Sequence, residues 1–428
     1  MEKSLVAIII FLVAYALIIS EKIHRTVIAL AGGTLLILFQ VISQETAFQH
    51  VDFNTIGLLI GMMIMVAIVS QTGLFKYLAI WAAKKVDADP IKILVAIGVL
   101  TAVTSALLDN VTTVLLITPV IFSITKQLKV PPMPYLFTEI IASNIGGTAT
   151  LIGDPPNIMI GSAVKELTFA AFANNLTLIS FFILAVTLVV LVLIYRNSLQ
   201  TTEELKAEIM ELDERKQIQD VPLLKKCLFV LSLTIGAFCF HQVLHLESAT
   251  VALSGAILLL LMTYAKSEHE LERIFNKIEW LTIFFFVGLF VLVSGLVETG
   301  IISLLAKDLI NLTAGNPTAT AMVILWLSAL ASAFVDNIPF VATMIPLIKE
   351  MGTMGVANLE PLWWSLALGA CLGGNGTLIG ASANVIVAGL AAQEGYTISF
   401  KKYFIVAFPL MLLSIVIASV YIYVRYLI

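Results

Sequence analysis

Long apolar runs follow one another along almost the whole chain, separated by short polar segments. A helix that crosses a bilayer needs about 20 mostly apolar residues, and ten runs have spanning length. They cover residues 4–20, 26–43, 55–75, 133–165, 176–195, 222–243, 247–265, 280–298, 360–394 and 403–424. The pattern predicts an all-α polytopic membrane protein, with the lipid bilayer as its surroundings.

Two further runs, 91–128 and 317–349, are too long for one span and carry polar residues at their centres. These centres are Leu108-Asp109-Asn110 and Val335-Asp336-Asn337. Irregular backbone at membrane depth is tolerated only where protein or a water-filled cavity covers it. We therefore predict two re-entrant helical hairpins, with the polar residues at their tips.

Composition excludes several classes of protein. The chain is 60% hydrophobic and 12% charged, whereas soluble domains are usually about 25% charged. Its net charge of −4 and the lack of a basic stripe argue against nucleic acid as a partner. Cys227, Cys239 and Cys371 are too scattered for a disulfide framework or a zinc site. We expect no metal site and no cofactor.

The chain also lacks the motifs of an enzyme. It contains no Gly-Lys dipeptide and hence no Walker A loop. Transport would therefore be driven by an ion gradient or by a separate ATPase subunit. His241 and His245 have metal-ligand spacing but no catalytic glutamate or third ligand, and we interpret them as interfacial side chains.

Basic residues predict the orientation. If the polar linker 196–221 is cytoplasmic, 19 of the 24 lysines and arginines lie on the cytoplasmic side. Such a bias is the positive-inside signal of membrane proteins. We expect a multi-pass protein of the plasma (inner) membrane with both termini outside.

The sequence repeats itself after a shift of 227 residues, and the match is carried by polar residues and glycines. Asp109-Asn110 falls on Asp336-Asn337, and Asn157 falls on Asn384. Each half holds five spans and one hairpin, so the second half enters the membrane from the opposite side. Inverted repeats of this kind are typical of secondary transporters. The predicted repeats are 1–195, with hairpin 91–128 and broken helix 133–165, and 222–428, with hairpin 317–349 and broken helix 360–394.

The two segments predicted to be broken helices carry the candidate substrate site. Glycines let the backbone leave helical geometry, and prolines force a break. The freed helix ends and the polar side chains would form a cup of hydrogen-bond donors and acceptors. Packing of small residues is the alternative, but asparagine is a poor choice for packing alone. The candidate substrate-binding residues are Asn110, Asn144, Gly146, Gly147, Thr148, Thr150, Asn157, Asn337, Gly373, Gly374, Asn375, Thr377, Ser382 and Asn384.

Three aspartates are candidates for coupling a proton or sodium ion to transport. An ionisable residue inside a membrane segment is a functional candidate by default, which applies to Asp109, Asp154 and Asp336. The alternative for the two hairpin residues is helix capping, which can coexist with function. Asp154 has no carboxylate partner in the second half, where residue 381 is alanine.

Four motifs carry a family resemblance: SALLDNVTTVLLITPV, SNIGGTATLIGDPPN, SAFVDNIPFVATMIPL and LGGNGTLIGASANVI. They resemble the ion transporter superfamily, in the branch that holds bacterial arsenite permeases of the ArsB type, NhaD-type sodium/proton antiporters and the P protein. The resemblance implies an elevator-type transporter with a scaffold and a mobile domain. Related dicarboxylate carriers are homodimers, so a dimer is expected.

The resemblance also bears on the substrate. Dicarboxylate carriers have Ser-Asn-Thr at the hairpin tips, where this chain has Asp109-Asn110-Val111 and Asp336-Asn337-Ile338. An added carboxylate at each tip argues against a free di- or tricarboxylate. We therefore expect a small inorganic substrate, with proton-coupled export of arsenite or antimonite as the leading function. A sodium/proton antiporter and a P-protein-like anion carrier are the alternatives.

Overall fold

The structure is a computed structural model that describes residues 2–20, 22–240, 245–264 and 267–428. Within these ranges the chain forms helices and no strands. Eight of the described helical segments are long and apolar enough to cross a membrane, which confirms the predicted all-α polytopic membrane protein. They are Lys3–Ser20, Phe53–Thr72, Pro90–Leu107, Phe169–Tyr195, Val221–Phe240, Trp280–Glu298, Pro317–Phe334 and Phe400–Leu427.

The described α-helices fall into two halves and a linker. The first half contains α1 Glu2–Ser20, α2 Arg25–Leu38, α3 Gln44–Gln49, α4 Phe53–Val69, α5 Leu74–Lys85, α6 Pro90–Leu107, α7 Asn110–Gln127, α8 Met133–Thr148, α9 Pro155–Ala163, α10 Phe169–Phe172 and α11 Leu178–Tyr195. The linker contains α12 Glu203–Met210. The second half contains α13 Val221–Phe240, α14 Ser248–Thr263, α15 Glu268–Phe275, α16 Trp280–Glu298, α17 Ile301–Leu312, α18 Pro317–Phe334, α19 Asn337–Thr353, α20 Glu360–Gly373, α21 Ser382–Gln393 and α22 Phe400–Ile422.

The two segments predicted to be hairpins form the pairs α6–α7 and α18–α19, and the helices of each pair pack together. Each second helix is capped by the aspartate at the turn. Asp109 accepts a hydrogen bond from Thr112 N at 2.8 Å, and Asp336 accepts one from Ile338 N at 3.1 Å. The predicted capping role is therefore present at both tips. The first helices, α6 and α18, are 18 residues long and are themselves of spanning length.

The chain leaves helical geometry within both of the segments predicted to be broken helices. Helix α8 ends at Thr148 and α9 begins at Pro155, whose fixed backbone suits the first turn of a helix. Asp154, the residue before it, is extended, as expected before proline. In the second half α20 ends at Gly373 and α21 begins at Ser382, after an extended Ala381. The breaks therefore occupy matching positions in the two halves.

The halves also repeat their hydrogen bonds. In each half, a serine hydroxyl on the first helix of the hairpin donates to a carbonyl of the broken helix. A threonine in the break donates to a carbonyl of that same hairpin helix. The four bonds are Ser105–Ser143 (2.7 Å), Ser332–Ala370 (2.6 Å), Thr150–Ala106 (2.5 Å) and Thr377–Ala333 (2.5 Å). Members of each pair are 227 residues apart, so the sequence repeat is also a repeat of contacts.

The hairpins and the broken helices pack backbone against backbone. A Cβ atom added at Gly146 would lie 2.2 Å from Ala102 O, and one added at Gly373 would lie 2.5 Å from Ala329 O. Only glycine fits such an approach. Elsewhere the halves interleave, because α4 packs on α14 of the other half and α16 packs on α2.

The linker is attached to the first half. Lys84 Nζ donates to Leu212 O and to Glu214 Oε2, both at 2.7 Å. The hydrogen bond from Lys84 lowers the pKa of Glu214. Thr201 Oγ1 donates to Leu128 O at 2.7 Å, at the end of α7. The linker thus spans the ends of α5 and α7.

Candidate functional site

A cavity of about 700 Å³ lies where the hairpin tips meet the two helix breaks. Both halves line it. The tips contribute Asp109-Asn110 and Asp336-Asn337, and the breaks contribute Asp154 and Ser382. The remaining wall comes from the end of α1, the loop between α1 and α2, the middle of α4 and the beginning of α16.

The cavity brings together the three aspartates that the sequence selected. The side chain of Asp154 is 1% exposed, its Oδ1 accepts a long hydrogen bond from Asn337 Nδ2 at 3.5 Å, and its Oδ2 has no hydrogen-bond partner among the described residues. Asp109 accepts two bonds from Thr112, from the amide at 2.8 Å and from the hydroxyl at 2.5 Å. Buried polar atoms are normally paired, so this Asp154 oxygen is an exception among the described residues, and the Cys371 thiol lies close to the same carboxyl group.

Arg25 also lines the cavity, although the sequence alone gave it no role in the site. It stands among the basic residues predicted to be cytoplasmic, whereas in the structure its guanidinium forms an ion pair with Asp336. Arg25 Nη2 donates to Ser382 Oγ at 3.0 Å, and Ser382 Oγ donates to Asp336 Oδ2 at 2.9 Å. Nothing in the local sequence distinguishes this arginine from a loop charge, because the pairing partner is 311 residues away.

Glu279 is a second cavity residue that sequence reasoning did not select. It precedes α16 and accepts a hydrogen bond from Thr282 Oγ1 at 3.0 Å. Burial, together with the nearby Asp109 carboxyl, raises the pKa of Glu279 to about 7. The repeat held a signal, because Glu279 corresponds to Asp52, whose carboxylate accepts the equivalent bond from Thr55 Oγ1 at 2.7 Å.

The asparagines form a buried network. Asn144 Nδ2 donates to Asn375 Oδ1 and to Asn384 Oδ1, both at 2.9 Å, and Asn144 Oδ1 accepts from Asn110 Nδ2 at 3.2 Å. Asn384 Nδ2 donates to Gly374 O at 2.8 Å and to Thr377 O at 2.9 Å. The network therefore supplies the donors that the broken backbone needs.

The first break is held in the same way. Asn157 Nδ2 donates to Thr150 O at 2.9 Å and to Thr148 O at 3.1 Å. Cys371 Sγ donates to Asn157 Oδ1 at 3.5 Å. Residues 144 and 371 are repeat equivalents, as are 157 and 384. Each half therefore donates a hydrogen bond to the equivalent asparagine of the other half, Asn384 or Asn157.

The predicted substrate-binding residues thus separate into two sets. Asn110, Asn337 and Ser382 line the cavity with the three aspartates. The others do not line it and lie in or beside the buried network: Asn144, Gly146, Gly147, Thr148, Thr150, Asn157, Gly373, Gly374, Asn375, Thr377 and Asn384. The prediction of one open cup that holds both sets is therefore wrong for the second set, which lies in the buried network.

Replacing Asn384 by alanine is expected to destabilise the protein. The substitution leaves Gly374 O and Thr377 O without their donor in a buried site, and each unsatisfied group costs about 1–3 kcal/mol. Thermal unfolding in detergent should occur about 5 °C lower or more. The exposed Asn311→Ala is the control and should unfold as the wild type does. Equal stability of the two variants would contradict a structural role for the network.

The described residues offer no obvious resident metal site. No group of three or more His, Cys, Asp and Glu side chains in this part of the chain is arranged to hold a metal ion. His241 lies outside the described residues, so the predicted pair with His245 is not described.

An acidic cavity formed by helix breaks within a helical membrane protein is the arrangement of a transporter. A family model described as citrate transporter matches residues 15–369, and the chain belongs to this family. The match confirms the predicted membership of the ion transporter superfamily, and it indicates a transporter.

Relatives extend over the whole chain. An uncharacterised transporter of Mycobacterium tuberculosis strain H37Rv is 42% identical over 430 residues, which are 99% of each chain. The human P protein is 36% identical over 496 residues, which cover 97% of this chain and 59% of the P protein. The crystal structure of the YdaH transporter of Alcanivorax borkumensis matches with a TM-score of 0.57 and 14% identity, covering 99% of this chain and 98% of that one. This last likeness concerns the fold alone.

Proposed function

We propose that the chain is a proton-coupled secondary transporter that exports a small uncharged hydroxyl acid, with arsenous and antimonous acid as the expected substrates. The charge of the cavity carries the proposal. Four carboxyl groups, those of Asp109, Asp154, Glu279 and Asp336, line it, and Arg25 is the only lysine or arginine among its described lining residues. A neutral solute enters such a cavity without repulsion, and the carboxyl groups can carry the counter-proton.

A free tricarboxylate such as citrate, the solute in the family's description, fits this cavity poorly. Its carboxylates would need positive partners, yet the Arg25 guanidinium already pairs with Asp336. Unpaired like charges in a desolvated site are costly. An anion would therefore need protons or a cation with it, which keeps an anion carrier as one outcome of the test below.

Sodium/proton antiport is the second candidate. The observation that favours it is the Asp154 Oδ2 atom, which is buried and has no hydrogen-bond partner among the described residues. Carboxylate oxygens are ligands for hard cations, and a sodium ion and a proton would compete for the same oxygen.

Two features support an elevator-type movement. The hairpins and the broken helices are joined by hydroxyl–carbonyl bonds, such as Ser105 to Ser143 at 2.7 Å, and would move as one body. Helices α2, α4, α14 and α16 pack on one another and would form the scaffold. The cavity includes loop residues next to α2 and α16, on the side that the basic residues assign to the cytoplasm. We therefore propose that this arrangement faces inward, in the plasma membrane.

Proteoliposomes with a pH-sensitive dye inside test the function. Arsenite, sodium and citrate are added in turn, and proton movement and solute uptake are recorded. Arsenite uptake coupled to proton movement, and abolished by an uncoupler, supports the proposal. Sodium-driven proton movement without arsenite uptake would replace it with antiport, and citrate uptake would replace it with anion transport. Two further expectations are tested with purified protein. Its mass in detergent tests the expected dimer, and transport without an added ATPase subunit tests whether such a subunit is needed.

The hairpin aspartates are expected to couple the proton. Asp109→Asn and Asp336→Asn each remove one carboxyl from the cavity, so the protons moved per solute should fall about tenfold or more. The exposed Asp87, which has a positive φ of 58° that asparagine tolerates, supplies the control Asp87→Asn. Full coupling in both hairpin variants would show that the coupling ion binds elsewhere.

A further inference from the structure

Arg25 joins parts of the protein that are proposed to move relative to each other. It is the first residue of α2, which is held to α16 by the Thr26 Oγ1 bond to Leu281 O at 2.8 Å. Its guanidinium contacts Asp336 at the tip of the second hairpin and Ser382 at the start of α21. Its charged end also lies 4.9 Å from the centre of the Phe285 ring on α16, a cation–π distance. The Arg25 side chain thus links the packed helices α2 and α16 to the hairpin and the broken helix of the second half.

Among the described residues, the first half has no equivalent link. Asp109, the repeat equivalent of Asp336, accepts side-chain hydrogen bonds there from Thr112 of its own hairpin. Residue 155, the equivalent of Ser382, is a proline and has no hydroxyl group. Within the described part of the chain, one of the four cavity carboxylates, that of Asp336, is therefore in an ion pair.

We infer that Arg25 is a positioning residue that acts as an internal counter-ion to Asp336. Its ion pair holds the tip of the second hairpin against α2, and we call this contact the latch. Arg25 also competes with the coupling proton or cation for the Asp336 carboxylate. The inference rests on the proposed function, since it takes Asp336 to be a coupling site. Release of Asp336 from Arg25 would then accompany both ion binding and movement of the hairpin. A guanidinium donates to a carboxylate and a hydroxyl together, as it does here, whereas a lysine amine is a point charge.

Other titratable groups face the same space and must be separated from Asp336. His24 precedes Arg25, Glu279 lies before α16, and Asp109 and Asp154 complete the cavity. Asp154 is linked to the same hairpin tip through the Asn337 amide at 3.5 Å. A pH experiment on Arg25 therefore needs a background in which Asp336 alone is neutralised.

The first test is the pH dependence of solute-driven proton movement in Arg25→Gln. Without the guanidinium, the coupling proton or cation no longer competes with Arg25 at the Asp336 carboxylate, so the half-maximal pH of proton movement should rise by about one unit or more. Arg25→Lys keeps the charge and should shift the profile less. Lys22→Gln removes a charge from the same loop at an exposed site and should leave the profile unchanged.

The double variant Arg25→Gln/Asp336→Asn separates the other carboxyl groups. Its profile should coincide with that of Asp336→Asn, because the ion-pair partner of Arg25 is absent from both variants. An Arg25→Gln profile equal to that of Lys22→Gln, or a further shift in the double variant, would overturn the inference.

The second test does not depend on the transported solute. Cysteine replaces Ile386, which lines the cavity, in a background where the exposed Cys239 is serine. If the latch holds the present arrangement, Arg25→Gln moves the population away from it, and labelling by a water-soluble thiol reagent should slow about threefold or more. Labelling at the wild-type rate would overturn the latch even where proton-coupled transport is established. If no solute drives proton movement, the proposed function fails and the labelling alone decides for or against the latch.

Discussion

Asp154→Asn is expected to lower solute-driven proton movement by about 100-fold or more, the usual scale for loss of a positioned proton-transfer group. The Asp154 side chain is buried against the cavity and is 1% exposed. Asparagine has nearly the same shape, and its amide oxygen can still accept the bond from Asn337. The variant should therefore fold normally and lose only the ability to bind a proton. Proton movement in proteoliposomes is the measurement.

Asp308→Asn is the matched control, since Asp308 is exposed on α17. It should transport at the wild-type rate. Binding of the solute to Asp154→Asn, followed by its effect on thermal unfolding, separates loss of coupling from loss of the site. Wild-type proton movement in Asp154→Asn would assign the coupling role to the other carboxyl groups of the cavity.

Gly146→Val is expected to have the largest effect on stability. Its Cβ atom would lie 2.2 Å from Ala102 O, so α8 and the hairpin helix α6 must separate. Overpacking costs about 1–3 kcal/mol and occasionally more, and a branched Cβ with two methyl groups against fixed backbone places this change at the upper end. We expect thermal unfolding about 5 °C lower or more, or no folded protein at all.

Gly389→Val makes the same change where a Cβ atom would meet nothing within 4 Å. It should fold with the wild-type yield and stability, measured by size-exclusion chromatography of the heated protein in detergent. Gly373→Val, the repeat equivalent of Gly146→Val, should fail in the same way. A stable Gly146→Val would show that the hairpin and the broken helix are not packed as described.

The sequence predicted the elements that depend on local chemistry. Pro155 and Pro156 remove backbone amide donors, so a break in the helix could be predicted before them from the sequence alone. The same holds for the hairpin turns, where Asp109 and Asp336 precede helices that they cap. Because the two halves match after a shift of 227 residues, each element predicted in one half could be checked against its equivalent in the other half.

The site could be predicted only in part, because it depends on contacts between distant residues. The pattern of donors and acceptors in Asn144, Asn375 and Asn384 indicates hydrogen bonding, but it does not tell whether the partner is a solute or another asparagine. In the structure, Asn144 donates hydrogen bonds to Asn375 and to Asn384. The role of Arg25 in the site could not be predicted for a related reason. A basic residue beside an apolar run resembles an interfacial anchor until its ion-pair partner is known.

Two of the hydrogen bonds between the halves bear on how such a chain could have arisen. Asn144 donates to Asn384 Oδ1, and Cys371 donates to Asn157 Oδ1, so the side-chain oxygen of each of these asparagines is satisfied by the other half. A single ancestral half would have left that asparagine oxygen unpaired in a buried site. Two copies facing each other would have made the same bond twice. The ancestor is then expected to have worked as an obligate pair, with duplication and fusion later allowing residue 371 to diverge from residue 144.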